Sequence, residues 1–213
     1  MSGPGGGFPP GFFDRADPGD DAIFYGPPRL VTHLDDGAVA AVWALYAELG
    51  IDGSAARRTR VLDLMSSWVS HFRVPPAELV VLGMNATELA ANPAATERVV
   101  QDLNADQRLP FADASFDAVT CCVSIDYLVD PVAVLREVAR VLRPAGVVVV
   151  TFSNRCFPTK AVRGWLEATD DERGTIVAAY LGAAGGFDLP EVSLRTPPGS
   201  WGDPLWAVVA RRR

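Results

Sequence analysis

Apolar positions along the chain switch repeatedly between two spacings, and the switching predicts the elements. Short apolar runs bounded by turn residues read as buried strands at Val61–Leu64, Leu79–Leu82, Arg98–Gln101, Phe116–Val123 and Val147–Phe152. The run at Phe116–Val123 is apolar on both faces, as a central parallel strand is. Between these runs the period lengthens. Val39, Val42, Trp43, Leu45, Tyr46 and Leu49 recur at helical spacing within Thr32–Leu49. Asp35 or Asp36 would cap that helix, and Gly50 and Gly53 would end it. Thr87–Ala91 starts a short helix that Asn92–Pro93 breaks. Pro131–Leu142 has proline in its first turn and an apolar stripe of Val134, Leu135, Val138, Val141 and Leu142. After a turn at Pro144–Gly146 and the fifth strand, helices are expected over Thr159–Ala168 and Asp170–Ala184, the second stopped by Gly185–Gly186. Glu191–Arg195 and Trp206–Arg211 read as two last strands. The loop between them leaves no room for a crossover helix, so they should pair antiparallel.

This alternation predicts an α/β fold, with a seven-stranded, mostly parallel sheet, helices on both faces and an antiparallel last strand. Residues 1–20 read as a flexible Gly/Pro-rich leader, ordered only if it packs over something. Residues 21–58 form an N-terminal lid and helix, and 59–213 the sheet, in one domain overall. Ligands on such sheets bind at the C-terminal strand ends, here 63–71, 83–85, 102–104, 123–127 and 153–156.

Composition narrows the partners. The 213 residues can bury a substantial core, with 49% hydrophobic and 21% charged residues. No apolar run reaches the roughly 18–20 residues of a membrane span. The N-terminus lacks the basic and apolar regions of a signal peptide, so a cytoplasmic protein away from membranes is expected. A net charge of −7 argues against nucleic acid, and the basic cluster Arg211–Arg213 is a terminal tail. Three cysteines without a CxxC pair, and two distant histidines, argue against a disulfide framework or a structural metal. Cys122 and Cys156 share the ligand edge, where a thiol pair would suit a thiophile; buried cysteine is more often a small core residue. The expected partner is a small molecule, with the oligomeric state left open.

The segments RVLDLMSSWVSHF (60–72), LPFADASFDAVTCC (109–122) and LREVARVLRPAGVVVVTF (135–152) resemble the class I S-adenosylmethionine (SAM) methyltransferases, in their small single-domain branch. The resemblance spans roughly Arg60–Phe152 and implies a Rossmann-like fold with SAM as cosubstrate. It also implies that Asp102 accepts from the adenine amino group, with a neighbouring backbone N–H such as that of Leu103 on the ring. The bland reading of Asp102 is a turn cap. The loop after the first strand departs from the family, because Met65, Ser67 and Val69 stand where three glycines are usual. Asp63 matches the family's strand-end acid, orienting the loop or meeting the SAM ammonium. Ser66 and Ser67 would offer hydroxyls to the SAM carboxylate, and Ser70 and His71 keep the region polar. Trp68 either packs into the core or lies near the sulfonium. Gly83 stands where the family has its ribose acid, Asn85 would take over, and Met84 would flank adenine.

The resemblance puts Val123, Ser124, Asp126 and Tyr127 at the sulfonium end, with Ser153 and Asn154 reaching the substrate. The lid would bring Tyr25, Arg29 and His33 over the pocket, Arg29 pinning a carboxylate and Tyr25 meeting the sulfonium. Otherwise the segment is a surface wrap held by Phe24, Leu30 and Val31. His71, Asp126 or His33 would take the acceptor's proton. The leading expectation is in-line methyl transfer to a small molecule. A second is SAM cyclisation to azetidine-2-carboxylate and methylthioadenosine, within a box of Tyr25, Trp68, Ser70, Asn154 and Tyr127. The third is a non-catalytic SAM-binding protein.

Overall fold

The computed structural model describes residues 7–197, 199 and 201–213; the first six residues of the expected leader lie outside them. The strands are β1 (Arg60–Leu64), β2 (Glu78–Gly83), β3 (Glu97–Val100), β4 (Phe116–Cys122), β5 (Leu142–Phe152), β6 (Glu191–Leu194) and β7 (Trp206–Arg211). They form one seven-stranded sheet in the order β3-β2-β1-β4-β5-β7-β6. The first five are parallel. β7 runs antiparallel between β5 and β6. The α/β, mostly parallel sheet read from the sequence is the one observed. Strand order reverses between β1 and β4, so the loops above these two strands splay apart and leave a crevice.

The helices are α1 (Asp21–Tyr25), α2 (Asp36–Glu48), α3 (Ala86–Ala91), α4 (Pro131–Val141), α5 (Arg163–Leu166) and α6 (Asp170–Ala184). Val134, Leu135, Val138, Val177 and Leu181 of α4 and α6 close one apolar core. Ala38, Val42, Leu45 and Tyr46 of α2, with Leu89 of α3, close the other. No described helix is long and apolar enough to cross a membrane.

Local chemistry sets the boundaries. Asp35 accepts from the Ala38 N–H at 2.8 Å, so α2 starts at Asp36 and not near Thr32. The reciprocal Thr169–Glu172 capping box starts α6, and Gly185, at φ 74°, ends it. The helix expected over Thr159–Ala168 shrinks to Arg163–Leu166. Its first residues instead meet the N-terminal segment: the Asp17 N–H donates to the Thr159 carbonyl at 2.8 Å, and Arg15 bridges Val162. The five-residue α1 was not expected; the Asp20 side chain caps it through the Ala22 N–H.

Residues 8–21 pack over the body. Phe8, Phe12 and Phe13 surround the ring of Tyr180 on α6, at centroid distances of 5.2, 6.5 and 6.0 Å. A side chain at Gly164 would lie 2.1 Å from the Phe12 ring, so glycine permits this contact. Beside it the fully buried Lys160 ammonium lies 3.0 Å from both Asp17 and Asp21 and donates to the Gly19 carbonyl at 2.9 Å. Arg15 holds the other side of Asp21 with two bonds of 2.8 and 2.9 Å. Removing one partner of such a buried cluster leaves uncompensated charge. Lys160→Met should lower unfolding free energy by about 3 kcal/mol, read from the urea midpoint. An unchanged midpoint would show that Arg15 alone neutralises Asp21.

Candidate active site

A cavity of about 530 Å³ opens at the C-terminal ends of the parallel strands, within the size range of small-molecule sites. The loop after β1 forms its floor. Asp63 is buried at the end of β1, accepting from Thr120 Oγ1 at 2.8 Å and Ser66 Oγ at 2.5 Å. Burial outweighs these bonds and pushes its pKa up to about 6. The Ser66 hydroxyl is therefore spent on Asp63. Ser67 Oγ accepts from the Trp68 N–H at 2.6 Å, which leaves its own proton available.

The loop then crosses the end of β2. The Ser66 N–H donates to the Leu82 carbonyl at 2.7 Å, and the Ser66 carbonyl would lie 2.1 Å from any Cβ at Gly83. No side chain fits there. Met65 (φ 53°), His71 (φ 51°) and Val123 (φ 47°) take left-handed backbone at the cavity without being glycine. Each costs roughly 1–2 kcal/mol, most for the β-branched valine, and such strain gathers at ligand sites.

Met65, Ser66, Ser67, His71, Met84, Asn85, Asp102, Leu103, Val123, Ser124, Tyr127 and Asn154 all line the cavity, as do Asp63, Tyr25, Arg29 and His33. Asp102 combines both of its readings, since it lies in the wall and accepts from the Asn104 N–H at 2.8 Å. Ser124 donates to the Cys122 carbonyl at 2.8 Å. Four expected residues lie outside the wall. Ser70 turns inward to accept from Asn92 Nδ2 at 2.8 Å. Trp68 is half-buried and enters neither core nor cavity; its indole N–H donates to the Val31 carbonyl at 2.9 Å and joins the loop to the lid. Asp126 is buried away from the cavity, with one carboxyl oxygen unpartnered among the described residues. Burial pushes its pKa up to about 7. Ser153 is also buried and accepts from the Arg155 N–H at 3.1 Å.

The lid brings rings to the far end. Tyr25 sits 6.2 Å from Tyr127 and 6.4 Å from Phe157, and His33 lies 5.5 Å from Phe157. The Tyr25 hydroxyl is buried without a partner among the described residues, and burial keeps it protonated. Arg29 stacks on Phe24 at 4.8 Å and donates to the Phe24 carbonyl at 2.8 Å. Burial holds the His33 pKa down, and burial with repulsion from His33 brings His71 to about 4. Both imidazoles are neutral at pH 7, and His71, at about 4, is a weak base. Cys122 and Cys156 reach the wall as protonated thiols, Cys122 pushed up to about 12 by burial. Asn104 falls in the expected strand-end stretch 102–104 without an assigned role, and sequence reasoning missed Glu88 and Phe157 in the wall. Of these only Glu88, the first acid after β2, carried a readable signal.

Residues 66–150 match the family described as "Methyltransferase domain". Over 56 residues, 24% of each chain, this chain is 55% identical to a demethylmenaquinone methyltransferase of Mycobacterium sp. (strain KMS). It is 34% identical over 110 residues to the demethylmenaquinone methyltransferase of Mycolicibacterium vanbaalenii, covering 46% of this chain and 48% of that one. It is also 41% identical over 56 residues to a ubiquinone biosynthesis O-methyltransferase of Xanthomonas oryzae pv. oryzae, covering 26% and 21%. The chain thus spans less than half the length of the curated relatives it matches. A SAM-dependent methyltransferase from Aquifex aeolicus superposes with a TM-score of 0.57 at 14% identity, over 85% of this chain and 92% of that one. The [4+2]-cyclase SpnF gives 0.56 at 17%, over 90% of both.

The fold is therefore that of the class I SAM-dependent methyltransferases. Residues 66–150 thus resemble a methyltransferase domain, a family whose usual cosubstrate is SAM. The cavity fits that group: it is large enough, and its wall carries Asp102 and Met84 together with the rings of Tyr25, Tyr127 and Phe157.

Asp126 supplies a test of the site's surroundings. Its folded-state pKa lies above the ordinary 3.8, so the unfolded chain gives up this proton first as pH rises, and stability falls between about 4 and 7. Asp126→Asn should remove that slope. Its stability relative to wild type should climb across this window and level off above it, measured by urea midpoints. A pH-independent offset would show an ordinary carboxyl.

Proposed function

We propose that this chain is a SAM-dependent methyltransferase acting on a small-molecule acceptor. One observation carries the reading: a single cavity at the switch point is lined by Asp102, by the rings of Tyr25, Tyr127 and Phe157, and by His33 and His71. SAM, when bound, supplies an electrophilic methyl group. Asp102 would accept from the adenine amino group, and Leu103 and Met84 would flank the ring. Tyr25, Tyr127 and Phe157 would surround the cationic sulfur, each ring contributing about 0.5–2 kcal/mol. His71 or His33 would take the acceptor's proton. The lid would exclude water.

Relatives named for demethylmenaquinone and ubiquinone biosynthesis support a ring-bearing acceptor. The stacked rings of the wall support the same class. The net charge of −7 supports a small molecule and not nucleic acid.

Calorimetry with SAM and S-adenosylhomocysteine tests the site. Asp102→Ala should weaken both by about tenfold or more, and unchanged affinity would refute the adenine assignment. Incubation with SAM alone, followed by mass spectrometry, tests the reaction class. SAM should persist; methylthioadenosine above the enzyme-free rate would replace transfer with self-cyclisation.

A further inference from the structure

We propose that Asn104 is a positioning residue that couples the cavity to the N-terminal segment 8–21, so that a bound ligand tightens the docking of that segment and docking tightens the ligand. The proposal rests on the SAM reading above for the identity of the ligand.

Asn104 lines the cavity, as do Asp21, Asp102 and Tyr127. Its side chain joins stretches of chain that are far apart in sequence. The amide nitrogen donates to Asp21 Oδ2 and to the Tyr127 carbonyl, both at 2.9 Å. The amide oxygen accepts from the Val129 N–H at 2.9 Å. The Asn104 backbone N–H donates to Asp102 Oδ1 at 2.8 Å. Both side-chain donors are therefore used, one on the N-terminal segment and one on the loop after β4. The turn that carries Asp102 is held from both directions.

Asp21 is where the anchor of the segment meets the wall. Its carboxylate takes two bonds from Arg15 and lies 3.0 Å from the Lys160 ammonium. Lys160 is fully buried and stands outside the cavity wall. Burial pushes the Asp21 pKa up, but the bonds from Arg15, Asn104 and Lys160 outweigh it and hold the carboxyl below its usual range. Asp21 thus stays ionised and is a strong acceptor for Asn104 while the segment is docked. If the segment lifts, Asp21 leaves with it. The cavity then loses a wall residue, and Asn104 loses the acceptor of one donor. A half-buried donor left unpaired is costly, so Asn104 must turn, and its holds on Tyr127 and Val129 depend on its present orientation. The ligand therefore binds the docked form better, and by linkage it favours docking by the same factor.

Hydrogen exchange reads this coupling. The Arg163 and Gly164 N–H groups donate to the Asp14 and Phe12 carbonyls at 2.7 and 2.9 Å, and the Asp17 N–H donates to the Thr159 carbonyl, so docking protects these amides. In wild type, saturating S-adenosylhomocysteine should slow their exchange about fivefold or more, beyond any change at the amides of β4, which report global unfolding. Asn104→Asp keeps the acceptor for Val129, loses both donors and sets like charge against Asp21. It should bind S-adenosylhomocysteine about fivefold or more weakly by calorimetry, and saturating ligand should no longer slow the docking amides beyond those of β4. Lys160→Met, outside the wall, should also weaken the ligand about fivefold or more, and it serves if Asn104→Asp does not fold. A purely structural Asn104 would leave the ligand's selective effect on these amides intact in the variant, which would overturn the proposal. Docking amides in wild type that ignore bound ligand would overturn it too, as would unchanged ligand affinity in Lys160→Met. Wild type that binds no S-adenosylhomocysteine would instead overturn the SAM reading, and this proposal with it.

Discussion

Much of the site follows from one close approach, the Ser66 carbonyl over Gly83. Residues 65–77 link two parallel strands without a helix. The loop therefore lies down across the end of β2, held by the bond from Ser66 to Leu82. This placement removes the room for a side chain at Gly83. It also presses Ser66 onto Asp63 and turns Ser70 inward to Asn92. The course of the loop and the absence of room for a side chain at Gly83 are thus one arrangement seen from two strands.

The lid is the counterpart of that arrangement. Its inner stretch touches the loop through Trp68 and touches α3 through Asn85 and Glu88. The residues before it, 8–21, are fastened by the Lys160 charge cluster and the phenylalanines around Tyr180. Polar contacts near the cavity are few and partly exposed, whereas the outer anchor is buried. The N-terminal segment is therefore held by buried charge and aromatic packing away from the cavity.

Regular elements were legible where local chemistry decides them. The Thr169–Glu172 box and the glycine pair fix α6 at the residues that periodicity marks. The apolar runs fix six strands to within a residue; β5 begins five residues before its run, at Leu142, and takes in the expected turn at Pro144–Gly146. Residues 159–162 were misread because their fate depends on Arg15 and Asp17, far away in sequence. In the site, strand ends located the correct edge of the sheet, so Asp63, Asp102, Met84 and Tyr127 reach the wall. Side-chain direction was harder to read. It depends on left-handed backbone at Met65, His71 and Val123, which those residue types do not announce. Trp68 and Ser70 therefore point elsewhere, and Asp126, in the 3-10 turn Ile125–Tyr127, is carried into the interior.

The N-terminal anchor has a consequence for biogenesis. Lys160 lies 141 positions after the Gly19 carbonyl it meets, and Tyr180 is later still. A ribosome makes Phe8, Phe12 and Phe13 first and their partners much later. Throughout that interval the aromatic segment has no native surface to cover it, and exposed apolar segments on a growing chain invite misassembly. The glycines and prolines among these phenylalanines disfavour strand pairing in the interim. The segment that completes the fold is thus one that synthesis must keep idle until Lys160 and Tyr180 have emerged.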